Sequence, residues 1–519
     1  MKKLATLLLA AGLVFSAFHP ASAVELKPYG MFELLFEHGG NMTRALQSTA
    51  DFEHNTNGKQ VVHGKHFSVI QRLTVGTRFV MDENLSATYE AILGFNTWGG
   101  PATGAAAAQQ NGGALGSRSA NIVTKFAYLD WVVPGTDLKV RMGMQPWFWP
   151  SYATGTISPG DGNGFGTGIL VNAPINDNVG VTAGWMRATS GFRRGADAAA
   201  FTKHTDDNLD MFVLTLPVKG EGFRLTPWVT FAAVGKDQTL SEAANQEATG
   251  WAKSTSWKHF APLTGAAVAG LKATGHDALA TALQDNAVNI GQARGNSTGW
   301  WGGLGGELTM FDPFRFAFDA GYSTLDTDYS ALDRSGWLLG LSMSYKTAWG
   351  VPTLKFWYTS GDDGNVKNGS ERPLITGDFN TGASVFFGNQ NLAGNLASDC
   401  GASSAGTWGL SAQWNKASFI EGLFHNFRVT YVQGTNSKKM AEYVGKNDLG
   451  RYLTTKDSVI DVSFDSVYSI YKNLAAMLEL SYAFENMDGK LWGEAMKVSD
   501  GKARFSDAWR VNMKFMYTF

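Results

Sequence analysis

The strongest constraint in this sequence is a period of two that recurs along nearly its whole length. From Trp509 the odd positions are Trp509, Val511, Met513, Phe515, Tyr517 and Phe519, all apolar or aromatic. The even positions are Arg510, Asn512, Lys514, Met516 and Thr518, polar except for Met516. Side chains on a strand alternate between faces, so this stretch has one greasy face and one wet face. The spacing predicts further strands over 25–37, 66–80, 85–96, 121–132, 137–145, 164–173, 178–188, 206–216, 222–233, 298–310, 314–325, 335–345, 353–360, 408–415, 423–434, 457–470 and 474–485. With the last, 508–519, these make eighteen. Sixteen remain if a weak hairpin such as 164–188 is not one.

Long and short connections alternate strictly along these strands. Tight turns such as Met81-Asp82-Glu83-Asn84, Pro134-Gly135 and Asp312-Pro313 follow long polar stretches such as 41–65, 98–119, 236–297 and 361–405. A soluble sandwich has no reason for that alternation. A membrane barrel does, because its short turns face the periplasm and its long loops face outward. The fold class expected is therefore all-β, a transmembrane antiparallel β-barrel of residues 24–519. Part of the largest loop, 275–288, has helical composition and reads as a short helix inside a loop rather than a separate domain.

Residues 1–23 read as a secretory signal. Lys2 and Lys3 precede an apolar run from Leu4 to Phe18, and Ala21-Ser22-Ala23 is a small-residue cleavage site. This implies export through the Sec pathway. The chain holds 43 Lys and Arg against 45 Asp and Glu; without Lys2 and Lys3 the balance is −4. Nothing in that balance suggests nucleic-acid binding, which would want a basic stripe. The single cysteine, Cys400, leaves no internal disulfide and reads as incidental in a Gly/Ser loop.

A barrel this wide encloses water, so its apolar faces look into lipid. Trp301, Tyr322, Trp337, Tyr358, Tyr482, Trp509 and Tyr517 suit the aromatic girdles at the two interfaces. The opposite faces then line a pore. By strand parity its basic set is Arg72, Arg78, Lys139, Arg141, Arg224, Arg315, Lys355, Arg428, Arg510 and Lys514. Its acidic set is Glu33, Glu90, Glu307, Asp319, Asp461, Asp465 and Glu479, joined by Glu37 and Glu485. The strands over 66–80, 137–145 and 222–233 bring mainly bases, and those over 457–485 mainly acids. This predicts opposed walls of opposite sign and a transverse field across the water. The plainer alternative is local pairing of solvated charges.

No phosphate-binding loop or metalloprotease helix is present, and no cofactor is expected. His38, His54, His63 and His66 lie in or beside the first loop and read as solvated. Asp326, Asp328 and Asp333 offer oxygens that calcium favours, but their spacing is not that of a known loop, and a solvated turn is the expectation. An enzyme reading would need paired catalytic carboxylates or a Ser–His pair; Asp461 and Asp465 share a face, as many pore acids do. A plugged adhesin barrel is the third reading.

The signal, the hairpin series and the ending Met513-Lys514-Phe515-Met516-Tyr517-Thr518-Phe519 resemble bacterial outer-membrane porins, in particular the homotrimeric porins of sulfate-reducing bacteria. The resemblance implies a non-enzymatic channel for passive diffusion of small hydrophilic solutes, with sulfate and small organic acids as cargo. It implies a homotrimer in the outer membrane, in contact with lipopolysaccharide, with Tyr517 and Phe519 as a signal to the barrel-assembly machinery. In such porins the third long loop narrows the lumen. Here that is 146–163, with Trp149 and its one acid, Asp161, as candidates. It lacks the family's acidic Pro-Glu-Phe-Gly-Gly run, which leaves 236–297 as the alternative constriction.

Overall fold

The structure is a computed structural model. It describes residues 24–41, 65–100, 122–155, 157, 165–189, 209–234, 297–326, 333–365, 368–373, 381–387, 400, 402–442, 452–495, 501–503 and 505–519. The signal at 1–23, Asp161, the helical stretch at 275–288 and nearly all of the 236–297 loop lie outside the described residues.

The described residues contain nineteen strand segments. In chain order they are β1 (Glu25–Gly40), β2 (His66–Val80), β3 (Leu85–Thr97), β4 (Ile122–Val132), β5 (Lys139–Pro146), β6 (Phe165–Pro174), β7 (Gly180–Thr189), β8 (Leu209–Thr215), β9 (Val218–Gly220) and β10 (Phe223–Val234). Then follow β11 (Ser297–Leu308), β12 (Phe314–Asp326), β13 (Arg334–Tyr345), β14 (Val351–Thr359), β15 (Thr407–Ile420), β16 (Leu423–Gly434), β17 (Ser458–Tyr471), β18 (Leu474–Asn486) and β19 (Ala508–Thr518). Segments β8 and β9 both pair with β10, so they form one wall strand. Leu216 and Pro217 separate them, and proline has no N–H to give to a ladder. Eighteen strands therefore make the wall, not sixteen.

Every wall strand pairs antiparallel with its sequence neighbour, and β19 pairs with β1 from Trp509 to Thr518. The ring is closed and has no free edge, which satisfies backbone groups in hydrocarbon. The apolar parity faces outward. On β13, Trp337, Leu339, Leu341 and Met343 are exposed, while Leu338 and Ser342 between them are buried. Tyr322 meets Trp337 at 4.5 Å near the loop ends of their strands, and Phe314 meets Tyr345 at 4.7 Å near the turn ends. These are two aromatic belts.

Trp301 corrects the girdle. It shares parity with Glu307 on β11, faces inward and is 1% exposed; Trp300 takes the outward position. A second correction concerns the interior. Water does not fill all of it. Segments of the loops after β5 and β14 fold inward and pack on the wall, with Trp149, Ile157, Val385, Phe386, Phe387, Cys400 and Ala402 against Met186, Met211, Trp301, Trp357, Val432 and Val459. Cys400 is thus part of this core rather than incidental in a Gly/Ser loop.

Candidate pore and its constriction

Two carboxylates hold the two inward loops. Asp319, midway along β12, accepts the N–H groups of Tyr152, Ala153 and Thr154, each at 2.8 Å. It also accepts the hydroxyls of Ser151 and Thr154, each at 2.9 Å. Asp461, on β17, accepts the N–H groups of Ser384, Val385 and Phe386 at 3.0, 2.9 and 3.1 Å. Successive N–H groups form a concavity that suits an anion. Here each concavity is filled by a carboxylate of the wall.

The wall is thinned where the first loop sits. A Cβ on Gly340 would strike Thr154 Cγ2, and one on Gly305 would crowd Tyr152 and Asp319. Trp149 is buried deeper. Its ring stacks on Trp228 at 4.9 Å, and its indole N–H reaches Thr230 Oγ1 at 2.9 Å. Trp149 therefore anchors the loop rather than presenting itself to a solute.

The predicted charges are interleaved and not segregated into opposed walls. Glu33 on β1 lies between Arg72 of β2 at 2.6 Å and Lys514 of β19 at 2.7 Å. Asp465 of β17 takes Arg428 of β16 at 2.6 Å, and Glu479 of β18 takes Arg510 of β19. The acids of β17 and β18 are thus flanked by bases on both sides, and the expected transverse field is cancelled locally. Glu307 meets Arg315 at 2.8 Å and Arg224 at 3.4 Å. Lys355 faces Arg428, Arg315 and Asp319. Arg78 donates to Ser86 Oγ, and Lys139 opens β5, exposed.

Two partners escaped the parity argument. Arg141 meets Asp130 at 2.6 Å and lies over the Tyr128 ring at 4.3 Å. Asp130 lies directly opposite Arg141 in the β4–β5 register, which the parity of single strands does not give. Glu90 takes Lys125 at 2.6 Å and the Tyr29 hydroxyl at 2.9 Å. Lys125 sits at a register shift between β3 and β4, which moves it to the lumen against its parity.

The lumen acids and bases differ in exposure. Glu33, Glu90, Glu307, Asp319, Asp461, Asp465 and Glu479 are all buried. Arg78, Lys139 and Arg224 are exposed, and Arg72, Arg141, Arg315 and Lys355 are partly so. The side chain of Arg224 is 67% exposed and that of Arg315 41%. Arg428, Arg510 and Lys514 are buried with their acids.

The first-loop histidines do not converge among the described residues. His66 reaches Glu37 at 2.8 Å, while His38 packs its ring on Trp509 at 5.0 Å on the outer face. His54 and His63 lie outside the described residues, as does Asp328 of the 326–333 turn.

No family model matches the sequence, and no curated protein matches it. Solved structures do resemble the barrel. Pseudomonas aeruginosa OpdQ is 10% identical with a TM-score of 0.46, over 95% of this chain and 98% of that one. Acinetobacter baumannii OccAB3 is 10% identical with a TM-score of 0.47, over 95% and 99%. The outer membrane protein OprD from Pseudomonas aeruginosa is 9% identical with a TM-score of 0.47, over 95% and 93%. At these values the likeness carries no argument. The barrel rests on its own closed ladder of hydrogen bonds.

Proposed function

We propose that this chain is a bacterial outer-membrane porin, a water-filled channel for passive diffusion of small hydrophilic solutes with a preference for anions. The observation that carries it is the closed eighteen-strand wall, apolar outside, whose water-exposed lumen charges are mainly basic. Glu33, Glu90, Glu307, Asp319, Asp461, Asp465 and Glu479 are buried, under the inward loops or beside arginines and lysines, while Asp130 and Glu485 are partly exposed. A passing solute meets Arg78, Lys139, Arg141, Arg224 and Arg315 instead. Charged side chains along a pore set its ion selectivity.

The sequence resemblance to porins of sulfate reducers supports sulfate and small organic acids as cargo and three barrels per particle. Chemical cross-linking of detergent-extracted protein should stop at the trimer; a monomer alone would remove that part of the reading. Lipopolysaccharide and the barrel-assembly machinery are then its partners in the membrane.

The test is single-channel recording in a planar bilayer under a salt gradient. Ohmic steps with a reversal potential of anion sign are expected. Arg141→Glu with Arg224→Glu should move that potential toward cations; no movement would take both arginines out of the conduction path. Silence from a well-folded barrel would favour a plugged or enzymatic barrel.

A further inference from the structure

The outer face of the barrel differs around the ring. Along much of the wall an aromatic belt marks the turn ends, with Phe79 on β2, Trp131 on β4, Phe314 and Phe316 on β12 and Tyr345 on β13 all exposed. Over β5 to β8 the belt is missing. The outward turn-end positions there are Val140, Val171, Ala173, Val181, Ala183 and Leu214, none of them aromatic. Aromatic belts form where a wall meets the lipid interface, and this stretch has no turn-end belt to meet it with.

The same strands are short. β5, β6, β7 and β8 run 8, 10, 10 and 7 residues, against 14, 12, 14 and 13 for β15 to β18 on the far side of the ring. A tilted membrane strand needs about 9–11 residues. A wall too low for the hydrocarbon thins the bilayer or oligomerises. A charge pair crowns this low wall. Arg187 on β7 faces Asp210 on β8 in the ladder, and both share the outward parity of Trp185 and Phe212. Arg187 donates from Nε and Nη2 to the two Asp210 oxygens, each at 2.9 Å, and the Trp185 indole N–H reaches Asp210 at 2.8 Å. The two side chains stay 38% and 21% exposed on the outer face. Charge on a lipid face destabilises a barrel, so this pair suits a protein neighbour better than lipid.

We propose that the outward face of β5 to β8 is where a second copy of this chain docks in the membrane. The inference rests on the assembly proposed above and names the surface that makes it. Copies of one chain in one bilayer are related by an axis along the membrane normal, so equal positions lie at equal depth. A low wall then meets a low wall, and each covers what lipid fits poorly. Arg187 of one copy comes level with Asp210 of the next, so the two faces are complementary in charge as well as in height. The small side chains of Ala173 and Ala183 let the walls approach closely. With the flanking β4 the face is five strands wide. Strands about 4.8 Å apart under an apolar band about 25 Å tall give it roughly 600 Å², near the about 800 Å² per partner of a stable interface.

The experiment is cysteine cross-linking of the full chain assembled in membranes. Cys400 is the one cysteine of the chain and is buried in the lumen core, so it stays out of the reaction. Ala183→Cys lies near the centre of the face; Leu341→Cys, on β13, is the control, at an outward position 44% exposed. Treated with a short bismaleimide, Ala183→Cys should yield severalfold more covalent multimer than Leu341→Cys. Ala183→Trp should convert the oligomer to monomer on native gels while heat-modified mobility stays that of an assembled barrel. Equal multimer from both cysteines, or none from Ala183→Cys, overturns the proposal. A lysine-directed reagent on the same sample separates the readings. Multimer with that reagent alone sinks this surface and spares the assembly; monomer with both sinks the two together. Single-channel current is read independently of either reagent, so the channel itself is tested apart.

Discussion

Asp319 and Asp461 convert wall positions into pore geometry. Each accepts three consecutive backbone N–H groups from a segment that is neither helix nor strand. Hydrogen bonds to an ionised acceptor contribute about 1.5–3 kcal/mol each. Asp461→Asn keeps the shape but removes the charge and one acceptor oxygen. The 384–386 segment should then leave the wall intermittently, seen as added noise on the open-channel current. Asp319→Asn should do the same through 151–154. A quiet channel of unchanged conductance in both variants would mean that packing alone holds the loops. Strand parity in the sequence put both acids on the lumen face. It gave no hint of what they hold, because 151–154 and 384–386 carry no period that could betray a docking face. The same limit hid the seat of the first loop, since Gly305 and Gly340 read only as weak strand residues until Tyr152 and Thr154 are placed on them.

At the scale of elements, the ring is closed by β1 and β19. Gly30 and Phe519 exchange N–H···O bonds at 2.9 and 3.1 Å, and the Phe519 ring lies over the Gly30 Cα, where any Cβ would collide with it. Gly30→Leu should displace the ring and lower the yield of assembled barrel severalfold, measured by heat-modified mobility on gels. Equal yield would separate the ring from closure. Strand existence was plain in the sequence because period two is a local property. Strand faces failed only where the local rule breaks, at the Lys125 register shift and at Trp301, which was grouped by residue type against its own parity. A second test at this scale concerns α1 (Gly489–Ala495), which caps the loop end of the wall. Just before β17, Asp457 accepts the Trp492 indole N–H at 3.1 Å, the Asp488 N–H at 2.8 Å and the Thr454 hydroxyl at 2.6 Å. Burial raises its carboxyl above the usual range. The folded chain therefore holds this proton more tightly than the unfolded one. The resulting stabilisation is full below the unfolded value of about 3.9 and is lost as pH rises through the folded value. Hydrogen-exchange protection of 488–492, corrected for intrinsic rates, should fall from acid toward neutral pH, and Asp457→Asn should flatten the slope. Protection that rises toward neutral pH would reverse the assignment.

For the whole molecule, wall and filling are separable. The wall closes through backbone ladders that run from β1 to β19 and back to β1 without help from any loop. The filling is held to it by Asp319, Asp461 and an apolar seam that includes Trp357, Val432, Val459 and Ala483. Replacing 361–405 by a short Gly/Ser linker should therefore leave a barrel that still assembles. It should conduct more, because the segment that Asp461 holds leaves the lumen. It should also melt at a lower temperature, since the apolar seam then faces water at about 25 cal/mol for each Å² uncovered. Conductance in a planar bilayer and the temperature of gel-mobility loss read the two effects separately. A larger current with lowered melting places the main constriction in this loop. An unchanged current with lowered melting would leave the loop as a strut and assign the narrowing to the Trp149 segment or to 236–297. The first outcome is expected, because Asp461 draws 384–386 onto the lumen face of β17 in the same way that Asp319 draws 152–154 onto β12, so solutes must pass between two loops held from different parts of the wall.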